Sequence, residues 1–131
     1  MIDVLADHNI EGQAWLIWSR LHADGWSQIL PAQLLTFEQA GLAVNANDRD
    51  VWRFAQKERM ILLTANRRMR EKNSLEKTLR DENFPAALPV LTIGNADKVF
   101  DRKYCEECAL RIVEMCSDIN AYLGTGRLFI P

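Results

Sequence analysis

Asp7, Asp48 and Asn66 are the residues whose types and surroundings could do chemistry. Each belongs to a short polar cluster beside an apolar run. Asp7-His8-Asn9 follows Ile2 to Ala6, Asn47-Asp48-Arg49-Asp50 opens a helical segment, and Asn66-Arg67-Arg68 follows Met60 to Thr64. If the apolar runs are strands of a parallel sheet, their carboxyl ends share one edge, where α/β domains bind ligands. The clusters then converge into an acidic, metal-binding pocket flanked by arginines. Such a pocket suits Mg²⁺ or Mn²⁺ and the cutting of a phosphodiester, because a divalent ion activates water and offsets charge on the departing oxygen. Mg²⁺ keeps several waters, so a few protein ligands suffice, drawn here from Asp7, Asp48, Asp50 and Asn66. Two carboxylates about 4 Å apart repel by roughly 4 kcal/mol at an effective dielectric of 20. The pocket is therefore expected to raise a carboxyl pKa and to gain stability when metal binds.

Each acid also has a purely structural alternative. Asp7 can cap a helix starting near Ile10, and Asn47 or Asp48 can cap the helix running through Val51. Asn47 and Asp50, three residues apart, resemble a capping pair.

The elements that must position these residues are legible as apolar patterns. Ile2 to Ala6 reads as a buried strand. Ile10, Ala14, Ile17, Trp18 and Leu21 recur at helical intervals until Asp24-Gly25, a helix stop. One short strand is expected between Trp26 and Phe37, a stretch that Pro31 interrupts. After the polar break Asn45 to Asn47, a helix from Asp48 turns Val51, Trp52, Phe54 and Ala55 inward. Met60 to Thr64 is continuously apolar, as in a strand covered on both faces. Ser74 caps a short helix over Leu75 to Glu82, and Leu88 to Ile93 is a further strand. The last helix carries Cys105, Cys108, Ala109, Ile112, Val113, Cys116, Ile119 and Leu123 on one face and stops at Gly124 and Gly126. Leu128 to Ile130 returns as an edge strand. Strands alternating with helices predict a single α/β domain over residues 1–131, with a central parallel sheet flanked by helices in three layers.

Bulk properties narrow the class. The chain has 131 residues, 48% hydrophobic and 26% charged, with a net charge of −2 and a pI near 5.7. That excludes the global basic field of many nucleic-acid binders, so any such contact must be local. No apolar run approaches the roughly 18 residues of a membrane span, and the N-terminus lacks the charged start of a signal peptide. A cytoplasmic location is expected, without membrane association, and three cysteines agree with a reducing compartment.

The local field could come from Arg67, Arg68, Arg70, Lys72, Lys77 and Arg80, opposed within that stretch only by Glu71 and Glu76. Arg67 and Arg68 at its start are positioned to grip a phosphate backbone; a solvated loop and outer helix face is the plainer account. Cys105-Glu106-Glu107-Cys108 invites a redox reading, but the glutamates oppose a reactive thiolate and the apolar stripe favours core packing. Trp15 and Trp18 lie three apart on one helix, so one is expected inside and the other to mark a protein interface, with a second copy or a partner chain. No Gly-rich phosphate loop follows any predicted strand.

With these motifs in view, the chain resembles a PIN-like domain, the metal-dependent ribonuclease fold of many toxins in toxin–antitoxin pairs. The resemblance rests on Val4-Leu5-Ala6-Asp7-His8-Asn9-Ile10, on Asp48 to Ala55, and on Ile61-Leu62-Leu63-Thr64-Ala65-Asn66. It covers roughly the first half of the chain. In that family an Asp ends the first strand, an acid opens a helix with a small residue seven positions on, and a third acid follows a strand. Asp7, Asp48 with Ala55, and Asn66 stand at those places. Asn66 offers a neutral oxygen where the pattern has a carboxylate, and His8 stands where many relatives carry an acid. The resemblance implies a Mg²⁺- or Mn²⁺-dependent ribonuclease with Asp7, Asp48 and Asn66 as catalytic positions, Asn9, Arg67 and Arg68 toward substrate, RNA as partner, and an antitoxin-type protein or homodimer as further partners. The alternative is a PIN-like module with a reduced site that binds RNA or protein without turnover.

Overall fold

A computed structural model describes residues 1–65 and 73–131. Its strands are β1 (Ile2–Ala6), β2 (Ala32–Leu35), β3 (Met60–Thr64), β4 (Val90–Ile93) and β5 (Arg127–Ile130). They form one parallel sheet in the order β2-β1-β3-β4-β5. The helices are α1 (Glu11–Ala23), α2 (Phe37–Ala40), α3 (Asp48–Lys57), α4 (Leu75–Glu82) and α5 (Arg102–Ser117), with short 3₁₀ turns between. The α/β three-layer reading of the sequence holds.

The helices cover opposite faces of the sheet. Val4, Ala6, Ile61, Leu63, Leu91, Ile93 and Ile130 point to α1 and α5. The alternate residues Leu5, Leu62 and Val90 point to α2, α3 and α4. This division explains why β3 is buried at every position: both faces are roofed, so its run is apolar without alternation. It also sets an unusual connection. β1 passes to β2 in one direction beneath α1, whereas β4 passes to β5 in the other direction beneath α5, on the same face. The hand of the β4-α5-β5 crossover is therefore opposite to that of the other three, a departure from the near-universal right-handed rule. The apolar stripe of α5, with Cys108, Ile112 and Met115 fully buried against α1 and the sheet, holds the helix on that face.

Element ends follow local chemistry. Gly25 takes φ 81° after α1. The stretch between Trp26 and Phe37 gives a 3₁₀ turn at Trp26–Gln28 and then β2. β4 starts at Val90, two residues later than the apolar run suggests: the Leu88 N–H donates to Gln56 Oε1 at 3.0 Å, and Pro89 has no N–H for the ladder. The last helix is shorter than its stripe. Asp118, at φ −140° and ψ 50°, leaves helical geometry, so α5 ends at Ser117; Ile119 and Leu123 reach the core from a 3₁₀ turn and its flank instead. Phe54 is half-buried rather than inward with Val51, Trp52 and Ala55.

Candidate functional site

Strand order reverses between β1 and β3: the chain leaves β1 toward β2, then crosses back to β3. Crevices at such a switch point, beyond the carboxyl ends of the strands, are where open α/β sheets bind ligands. Asp7 immediately follows β1 there, and Thr64 ends β3. The fully buried Thr64 hydroxyl donates to Asp7 Oδ2 at 2.8 Å. Asp7 stands where it could cap the 3₁₀ turn His8–Ile10, yet its side chain makes no capping bond. Its carboxylate is turned to the crevice.

Electrostatics mark the same place. Burial pushes the Asp7 carboxyl above its ordinary pKa. The Thr64 hydrogen bond opposes that rise, the negative charge of Asp48 adds to it, and the backbone amides of Asn9 and His8 oppose it again. Asp48 reaches the crevice because α3 begins there. The capping task falls to Asn47, whose side chain accepts from the Asp50 N–H at 2.9 Å, leaving Asp48 in the first turn without that duty. Asp7 and Asp48, with Val51, Leu62, Thr64 and Leu75, line a recess with room of about 10 Å³, the scale of a single water. Two carboxylates and a hydroxyl are hard oxygen donors of the kind Mg²⁺ and Mn²⁺ take, so the residues present fit a small divalent ion. Among the described residues, no group of three or more His, Cys, Asp or Glu side chains is placed to hold a metal.

The remaining expected site residues divide. Asn9 is exposed at the rim, beside Asp7. Asp50 is exposed on the first turn of α3, where its charge acts on Arg53, and it does not line the recess. Asn66, Arg67 and Arg68 lie outside the described residues, as do Arg70 and Lys72. Of the basic stretch that is described, Lys77 pairs with Asp81 at 3.3 Å, and Glu76 pairs with Arg127. Just beyond that stretch, Asp81 and Glu82 bind Arg49 and Arg53 and tie α3 to α4.

Two acids beside the site gave no sequence signal. Glu11 pairs with His8 Nδ1 at 3.3 Å and accepts from the Phe37 N–H at 3.0 Å, anchoring the start of α2 to the start of α1. Glu76 meets Arg127 on β5. Both depend on partners 26 and 51 residues away, beyond any local periodicity.

The cysteines behave as core residues. All three are free and buried. Burial, then the neighbouring Cys105 and Glu107, push the Cys108 thiol up to about 12, and burial alone pushes Cys116 to about 11. Trp18 is buried and Trp15 is 66% exposed, the division expected of that pair. No helix among the described residues is long and apolar enough to cross a membrane. No protein-family model, no curated protein and no solved structure gives a significant match to this chain.

Proposed function

We propose that this chain is a PIN-like, Mg²⁺- or Mn²⁺-dependent ribonuclease acting on RNA phosphodiesters in the cytoplasm. The observation that supports it is the shared recess of Asp7 and Asp48 at the switch point of the parallel sheet. Asp7, steadied by the Thr64 hydroxyl, and Asp48 would hold the ion from two sides. A divalent ion at that place supplies Lewis acidity and an activated water. Asn66 would add a neutral oxygen, while Arg67 and Arg68, next in sequence, would draw the substrate phosphate toward the carboxylates. Asn9 at the rim would orient the substrate backbone. The exposed Trp15 on α1 would serve a protein partner, whether an antitoxin-type chain or a second copy.

The test is cleavage of single-stranded RNA by the purified chain with Mn²⁺ or Mg²⁺. Asp7→Asn should reduce the rate by roughly 100-fold or more, the scale of losing one key electrostatic group. Activity that survives chelation, or is untouched by the substitution, overturns the reading.

A second reading, a module that binds RNA or a protein without turnover, draws on the two-carboxylate recess and the amide at Asn66. Titrated Mn²⁺ separates the two: a melting temperature that rises with metal favours the nuclease, and one that stays flat to millimolar Mn²⁺ favours the binding module.

A further inference from the structure

Arg127 is a cation where a hydrophobe would serve the core. It opens β5 with its side chain only 9% exposed. Its Nε donates to Glu76 in the first turn of α4, and its Nη1 donates to Thr92 Oγ1 at 2.7 Å. Thr92 is fully buried and is paired in register with Thr64, the residue that holds Asp7. Asp7, just beyond β1, lies level with Thr64 on β3 and Thr92 on β4, on the face roofed by α3 and α4, and Arg127, paired in register with Val90, reaches Thr92 diagonally from the start of β5. Leu75, the neighbour of Glu76, lines the recess with Asp7 and Asp48.

Stability alone is a poor account of this pair. Removing two charges from water offsets most of their attraction, and an apolar pair of similar volume often does as well. What a guanidinium adds is direction, because its planar fork fixes two partners at set angles. Among the described residues, two of its partners are a helix turn and a strand. The side chain is too buried to meet a substrate itself.

We propose that Arg127 is a positioning residue for the Asp7–Asp48 recess. Through Glu76 it holds the first turn of α4, and with it Leu75, against the carboxyl end of the sheet. This rests on the metal-site reading above and adds a residue 120 positions from Asp7 to it.

The experiment compares the full-length chain with Arg127→Met, Arg127→Lys and a control, Arg111→Met, which breaks the Glu114 pair on α5. Each is titrated with Mn²⁺ by thermal shift against its own metal-free baseline. Amide exchange at Lys77 and Thr78, both bonded back to Ser74, is followed at equal distance below each melting temperature. Arg127→Met should weaken Mn²⁺ binding by about 10-fold, as loss of an outer support does in metal sites, and speed exchange at those amides. Arg127→Lys should fall between, and the control should change neither. Unchanged Mn²⁺ affinity in Arg127→Met, or an equal loss in the control, overturns the proposal. If the parent chain ignores Mn²⁺, the metal reading fails by itself, and amide exchange alone decides the strut: selective acceleration sustains it and none overturns it. If Arg127→Met does not fold, Arg127→Lys and Glu76→Gln carry the same comparison.

Discussion

Asp7 shows how one carboxylate can work against its own fold. Burial, more than the Asp48 charge, raises its pKa above the ordinary 3.8 in the native state. The native state therefore holds that proton more tightly than the unfolded chain, and Asp7's contribution is greatest below about pH 3.8 and is lost as pH rises through the folded value. Asp7→Asn keeps an oxygen acceptor for Thr64 and removes the charge, so at neutral pH without metal it should raise the melting temperature while abolishing any Mn²⁺ response. A lower metal-free melting temperature would contradict the electrostatic account. Thr64→Val keeps the shape but removes the donor. It should destabilise by about 1.5–3 kcal/mol at pH 7, the range for a hydrogen bond to a charged group. Denaturant titrations should show that loss shrinking as Asp7 protonates. Asp81 and Glu82 have the opposite sign: hydrogen bonds from Arg49 to Asp81 and from Arg53 to Glu82 lower their pKa values, so their contribution is present at neutral pH and fades as acid protonates them.

Among the elements, α3 decides whether the recess exists, since it carries Asp48 to the sheet edge. Its start is set by Asn47, whose side chain takes the Asp50 N–H. Asn47→Ala should cost about 1 kcal/mol of stability, the usual value of such a cap, measurable by chemical denaturation. Its Mn²⁺ affinity should fall with it, as the first turn frays. The α3–α4 ion pairs begin at Arg49, the residue next to Asp48, and tie the start of α3 to the last turn of α4. These elements were legible because helical stripes and caps are local. The end of α5 was less so: Ile119 and Leu123 continue its spacing, but they reach the same core through a 3₁₀ turn. Apolar spacing records burial, and more than one backbone path delivers a side chain to the same place.

The whole molecule buries its cysteines beneath the sheet, between α1 and α5. With Cys108 near 12 and Cys116 near 11, almost no thiolate forms at pH 8, and labelling by an aromatic disulfide should proceed for these two thiols only as fast as the protein opens. Rapid labelling of Cys108 or Cys116 in the native state would contradict the packing. The same α1–α5 layer carries the oppositely handed crossover, so β5 joins the sheet beside β4 with Arg127 at its start. Arg127 could not be assigned to the recess from sequence, because its partners Glu76 and Thr92 belong to other elements.

Composition and periodicity alone determined the α/β class, the parallel sheet, the buried cysteines and the two acids that begin an argument about metal. Those features arise from contacts between residues a few positions apart, or from burial that every strand and helix records in its own apolar pattern. Only the tertiary structure decided that Asp48 reaches Asp7 while Asp50 stays outside the recess, that Thr64 holds the carboxylate, that Glu11 takes the Phe37 N–H, and that Glu76 meets Arg127. These depend on strand order and register. No local pattern carries that information, because it is set by which faces the helices cover and which strands become neighbours.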